Sequence, residues 1–194
     1  HCGGAARRGK EPDQPQMQGF GTNESGTKEK DVTIDMKILI VSDSHRYNVN
    51  LLAVLERTGP YDMLIHCGDV EGSEYTISEA AGCPVVMVQG NNDFFSSLPR
   101  EEEFMIGRYK VWVTHGHHYY IAMNTETIKQ EAVSREVDIV MCGHSHKPVI
   151  DIGKDVTLIN PGSISYPRQD NRKPSYIIME LDREGEAHYT LNFI

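Results

Sequence analysis

The chain has 194 residues, enough for one domain with a sizeable core and too few for two domains of ordinary size. Nineteen Lys and Arg against 28 Asp and Glu leave a net charge of -9, which argues against a sequence-independent grip on nucleic acid phosphates or anionic lipid. No apolar stretch reaches the roughly 18 residues of a membrane span and no basic flank with an apolar h-region marks a signal peptide, so a soluble, cytoplasmic protein is expected.

In chain order, residues 1–35 carry glycines, glutamines and charges with almost no periodic apolar residues. Such a segment cannot bury enough surface to offset its ordering entropy, and it reads as a disordered leader or an appended tail before a domain at 36–194. From Met36 short apolar runs alternate with polar, helix-like stretches, the pattern of an α/β protein. Strands are expected at 37–41 (KILIV), 62–66 (DMLIH), 84–88 (PVVMV), 109–114 (YKVWVT) and 138–141 (DIVM). Helical spacing and good helix formers occupy 48–57 and 124–136. The stretches 70–83, 94–103 and 164–174 read as loops. Two hairpins close the chain, one turning at Gly153 and Lys154 and one at Arg183 to Gly185, and together they predict a second, antiparallel-rich sheet. Cys2, Cys67, Cys83 and Cys142 form no C-x-x-C pair, which suits a reducing compartment.

The residues at the end of each apolar run carry the chemistry. KILIVSDSH ends in Asp43 and His45, MLIHCGD in Asp69, VVMVQGN in Asn91, VWVTH in His115, and DIVMCGHSH in His144 and His146. In open α/β sheets the carboxyl ends of the strands form one rim where ligands bind, so these seven side chains can converge. A lone D-x-H or strand-terminal GD is an ordinary turn or cap. The ordered set is a metal site, and with three protein ligands typical of one catalytic zinc, seven residues suffice for two ions if one bridges.

DSH at 43–45, GD at 68–69, GNND at 90–93, HGH at 115–117 and GHSH at 143–146 together resemble the motif set of the calcineurin-like metallophosphoesterase superfamily, and NPGS at 160–163 resembles its small YfcE-type phosphodiesterase branch. The resemblance implies a four-layer α/β/β/α sandwich of two mixed sheets with a dinuclear site at the C-terminal ends of the strands. It places Asp43, His45 and His146 on one ion and Asn91, His115 and His144 on the other, with Asp69 bridging. Mixed imidazole and carboxylate ligands suit Mn²⁺, the first choice, or Ni²⁺, Fe²⁺ or Zn²⁺ more than Mg²⁺. The implied activity is phosphodiesterase cleavage of a small-molecule phosphate diester by in-line attack of a metal-bridging hydroxide.

Many superfamily members place a histidine directly after the ligand asparagine, and that histidine is the implied acid; Asn92 stands there in this chain. An amide cannot deliver a proton, so Asn92 is a substrate clamp or the pivot of a left-handed turn. Asp93 either orients a neighbouring ligand or caps a turn. His117 is the remaining candidate acid, with a solvent-facing loop histidine as the plainer alternative, and esters with good leaving groups are the expected substrates. His66, His118, Cys67 and Cys142 read as structural. Asn160 and Ser163 either present polar groups to the site or form a turn, and Arg168 and Lys173 read as a solvated loop. The rival function is a binding scaffold, since the resemblance extends to a retromer subunit of this fold. Polymeric nucleic acid is disfavoured as a substrate by the acidic domain. Homodimerisation through an exposed edge strand is compatible with the pattern.

Overall fold

The computed structural model describes residues 34–194; the expectation of a disordered leader falls almost wholly outside them, with only Ile34 and Asp35 inside, both in the first strand. Strand β1 (Ile34–Val41) shows the plan of the molecule. Alternate side chains point to opposite faces of a strand. Ile38 and Ile40 enter one apolar cluster with Ile65, Val111, Val113, Met141 and Ile159, while Leu39 and Val41 enter another with Leu51, Val54, Leu64 and Ile77. A strand buried on both faces is the middle of a layered structure, which is why its sequence reads as one continuous apolar run.

Helix α1 (Val49–Thr58) comes after β1, then β2 (Met63–His66), helix α2 (Glu74–Ala81) and β3 (Val85–Met87). These strands run parallel to one another, β1 beside β2 and β2 beside β3. The second sheet starts with β4 (Glu101–Ile106) and β5 (Tyr109–Thr114), continues through helix α3 (Glu126–Ser134) to β6 (Ile139–Met141), and takes in the hairpin β7 (Pro148–Ile152) and β8 (Thr157–Pro161). Strands β9 (Ser175–Asp182) and β10 (Ala187–Phe193) return to the first sheet, β9 lying antiparallel to β1. The sheet orders are β10-β9-β1-β2-β3 and β4-β5-β6-β8-β7.

The inner faces of the two sheets share one cluster, α1 and α2 cover the outer face of the first, and α3 covers the second through Ile128 and Ala132 against Trp112, Val140 and Leu158. This is the expected α/β/β/α sandwich of two mixed sheets. One expectation is corrected: the two C-terminal hairpins do not make a sheet of their own, because each joins a different parallel core. The loops expected at 70–83 and 94–103 are also revised, since they contain α2 and the start of β4.

Strand β4 begins EEE, three charges that hide its strand character. Its register against β5 sets Glu103 opposite Trp112. The Arg135 guanidinium lies 4.2 Å from the Trp112 ring centre and pairs with Glu101 at 2.8 Å, Glu103 at 3.1 Å and Glu131 at 2.8 Å. A cation over a buried indole thus neutralises acids that would otherwise repel one another along an edge strand.

Candidate metal centre

Strands β1, β2, β3, β5 and β6 all end beneath the same point. Backbone bonds tie their loops to one another: the Asp43 N–H donates to the Gly68 carbonyl, the His45 N–H to Asp69, and the Gly143 N–H to His115, all within 2.9 to 3.1 Å. All seven expected residues meet there. His146 Nε2 lies 3.2 Å from Asp43 Oδ1 and 3.2 Å from His45 Nε2. On the other side Asn91 Oδ1 stands 3.0 Å from His115 Nε2 and 2.9 Å from His144 Nδ1. Asp69 Oδ2 sits between the groups, 3.6 Å from His45 Nε2 and 3.4 Å from His115 Nε2.

The backbone is strained to achieve this. Asp43, His45, Asp69, His144 and His146 all have positive φ, between 45° and 64°. Residues with a Cβ hold that conformation only where surrounding contacts enforce it, and such strain gathers at functional sites. At Gly143 an added Cβ would overlap Ser42 Oγ, and at Gly90 it would overlap Asp69 Oδ1, so both loops approach these side chains too closely for a Cβ of their own.

The donor set fits divalent cations. Asp43 is fully buried, its Oδ2 accepts the His144 backbone N–H at 3.0 Å, and its Oδ1 has no hydrogen-bond partner among the described residues although it faces three imidazoles. Burial works to raise the Asp43 carboxyl, but the His115 and His146 rings outweigh it and hold it low. Burial likewise opposes ionisation of Asp69, and His115 and Asn92 hold that group well below the carboxylate range. Burial alone would lower His115, yet the two carboxylates raise it to about 9. Two buried anions that draw a proton onto an imidazole form a well for positive charge, which a divalent ion fills more completely.

The imidazoles are aimed from behind. His45 Nδ1 meets Glu71 Oε1 at 2.6 Å, His115 Nδ1 the Cys67 carbonyl at 2.7 Å and His146 Nδ1 the Tyr166 carbonyl at 2.6 Å. With Nδ1 donating to these oxygens, Nε2 of each ring is left as the inward acceptor a metal requires.

A family model described as the calcineurin-like phosphoesterase superfamily domain matches residues 36–184. The chain belongs to this superfamily. A probable metallophosphoesterase of Methanocaldococcus jannaschii is 37% identical over 161 residues, 80% of each chain. A phosphodiesterase of the same organism is 30% identical over 145 residues, covering 66% of this chain and 83% of its own. Among solved structures, a predicted phosphoesterase from Streptococcus pneumoniae aligns with a TM-score of 0.66 at 28% identity, over 82% of this chain and 98% of its own. Vacuolar protein sorting 29 from Cryptosporidium parvum aligns with a TM-score of 0.65 at 19% identity, over 83% and 98%, and shares the fold.

In this phosphoesterase-superfamily chain the second asparagine has a definite partner. The Asn92 backbone N–H donates to Asp69 Oδ1 at 2.8 Å and its side-chain amide donates to Asp69 Oδ2 at 2.9 Å. Asp93 is buried and accepts three backbone N–H groups, those of Asp69 at 2.8 Å, Gly90 at 2.8 Å and Glu71 at 2.6 Å. One carboxylate therefore clasps the loops that carry Asp69 and Asn91, which makes it an orienting group. In NPGS, Asn160 donates to the Gly143 carbonyl at 2.9 Å and Ser163 to the Asp43 carbonyl at 2.7 Å, so both brace the loops bearing ligand-type residues. Sequence patterning does not single out Glu71; a glutamate two residues past a GD turn is its only trace there. His117 packs its ring 5.4 Å from that of His115 and 3.9 Å from His118, and burial together with the neighbouring imidazoles lowers it to about 4. Arg168 and Lys173 are exposed, as expected of a solvated loop.

His66 is structural and carries a pH signature. Its Nδ1 accepts the Gly68 N–H at 3.2 Å and its Nε2 meets Ser44 Oγ at 3.0 Å, which defines a neutral tautomer behind the loop bearing Asp43 and His45. Burial lowers its pKa to about 4 from 6.5. Because the unfolded chain takes up that proton first, the stability held by neutral His66 is complete above pH 6.5 and is lost as pH falls towards 4, by about 3 kcal/mol in all. Urea midpoints measured across this range are expected to fall less steeply with acid in His66→Gln than in the wild type; parallel slopes would refute the assignment.

Proposed function

We propose that the chain is a dinuclear metal-dependent phosphodiesterase acting on a small-molecule phosphate diester. The observation that carries this reading is Asp69 Oδ2, which lies 3.6 Å from His45 Nε2 and 3.4 Å from His115 Nε2 and so reaches both rings more closely than Asp43 Oδ1, at 3.8 Å from each. Asp43, His45 and His146 would hold one ion and Asn91, His115 and His144 the other, with Asp69 shared between them; Mn²⁺ is the first candidate. Divalent ions bound there would supply Lewis-acid chemistry, activating water and neutralising charge on the phosphoryl oxygens.

The residues themselves perform the positioning. Asn92 steadies the bridging carboxylate from one side, which takes the place of the substrate clamp as its first role, and its amide remains at the rim for a phosphate oxygen. His117 lies on the loop of His115, and because burial and the neighbouring imidazoles lower its pKa, it serves the departing oxygen as a hydrogen-bond donor more readily than as a proton donor. Esters whose leaving group departs without protonation are favoured in consequence. Two cavities support a diester over a monoester. One of 740 Å³ includes Asn92 in its wall and one of 290 Å³ includes Asn91, with Phe94 common to both, giving each arm of a diester its own recess.

With Mn²⁺ present, bis-p-nitrophenyl phosphate is expected to be hydrolysed with kcat/KM at least roughly tenfold above that for p-nitrophenyl phosphate, on the order of one extra bound arm. Equal rates on the two compounds would remove the diester assignment. The fold shared with vacuolar protein sorting 29 leaves a protein-binding scaffold as the second reading. A scaffold gives no reason for two buried carboxylates facing three imidazoles, and failure to hydrolyse either compound with Mn²⁺, Ni²⁺, Fe²⁺ or Zn²⁺ would favour it.

A further inference from the structure

The larger cavity gathers exposed aromatic residues. Tyr75, at the start of α2, is 77% exposed, Phe94 is 76% exposed and Phe95 is fully exposed, and all three rings line the same 740 Å³ recess. Neighbouring aromatic side chains left in water beside a reaction centre lose burial energy unless something flat covers them. The recess borders the residues that support the centre, for its wall includes Glu71, which holds His45, and Asn92, which holds Asp69. Its volume suits a group of nucleoside size. Its charge is selective as well, for three carboxylates, Glu71, Glu74 and Asp93, line it against a single guanidinium, that of Arg46.

We propose that this recess seats the neutral, flat organic arm of the diester, a nucleoside or aryl group stacked on Tyr75 and Phe95, and disfavours an arm that bears a further phosphate. The inference rests on the phosphodiesterase reading for its chemistry, but the recess can be tested apart from it. Base stacking on one or two aromatic rings changes affinity by roughly tenfold or more.

The test compares two esters that release the same p-nitrophenolate and differ only in the retained arm: thymidine 5′-(p-nitrophenyl phosphate) and methyl p-nitrophenyl phosphate. With the full chain and Mn²⁺, the wild type is expected to show a KM for the thymidine ester roughly tenfold below that for the methyl ester. The double variant Tyr75→Ala, Phe95→Ala is expected to lose this advantage while its kcat/KM on the methyl ester stays within about twofold, because both side chains are exposed and neither is one of the ligand-type residues. The 3′-phosphorylated thymidine ester is expected to bind less well than the unphosphorylated one. Equal losses on both esters, no loss on either, or tighter binding of the 3′-phosphorylated ester would overturn the proposal. Calorimetric titration with thymidine alone supplies a readout without turnover. Binding that weakens in the double variant supports the recess even if no ester is cleaved, and binding unaffected by the variant counts against it even if both are.

Discussion

Asp69→Ala is expected to lower kcat/KM on bis-p-nitrophenyl phosphate by roughly a thousandfold or more, equivalent to about 4 kcal/mol of transition-state stabilisation. The size of the effect comes from position. Asp69 Oδ2 lies between the two ligand groups, so its removal separates two half-sites instead of trimming one. Asn92→Ala provides the contrast, since Asn92 reaches the centre through Asp69 and its backbone N–H bond survives the substitution. A loss nearer tenfold is expected there, in the range typical of groups that orient a metal ligand. Thermal unfolding of both variants should show that neither loss comes from an unfolded chain. Activity in Asp69→Ala within about tenfold of the wild type would mean that this carboxylate does not bridge.

The largest effect on the folded state is expected from Asp93→Asn. Both Asp93 oxygens are occupied, Oδ2 by the N–H groups of Asp69 and Gly90 and Oδ1 by that of Glu71. An amide of the same shape must turn an NH₂ towards at least one of these donors. A buried donor without a partner costs about 1 to 3 kcal/mol, and the donor–donor contact adds to it, so a loss of about 3 kcal/mol in denaturant unfolding is expected. Divalent metal affinity should fall by roughly 10 to 100-fold as well, because the loops bearing Asp69 and Asn91 lose their common anchor. An unchanged unfolding midpoint would show that the clasp is dispensable.

Much of this site is legible in the chain because the relevant signals are local. An apolar run with Asp, Asn or His one to three residues past its end places that residue at a strand end, and parallel strands bring such ends to one rim. Asp43, Asp69, Asn91, His115 and His144 all obey this rule, and all are found together. The supporting groups escape it. Apart from the Gly90 N–H beside Asp93, Glu71 and Asp93 act on partners 22 to 26 residues away, and their type alone fits an exposed turn as well as a buried clasp. The sheet arrangement is harder to read for a similar reason. A hairpin pattern identifies two paired strands but not the sheet they join, which here is decided by β9 lying against β1 and β8 against β6. Helix α2 buries only Ile77, too little periodicity to mark it, and β4 needs Arg135, at the end of α3, before its glutamates make sense.

The central claim is that seven side chains hold two ions with Asp69 between them. Its most direct test is the number of Mn²⁺ ions bound per chain, measured by calorimetric titration of metal-stripped protein alongside Asp69→Ala. Two ions are expected for the wild type and at most one, bound more weakly, for the variant. A wild type that binds no ion, or a variant that still binds two with unchanged affinity, would contradict the account.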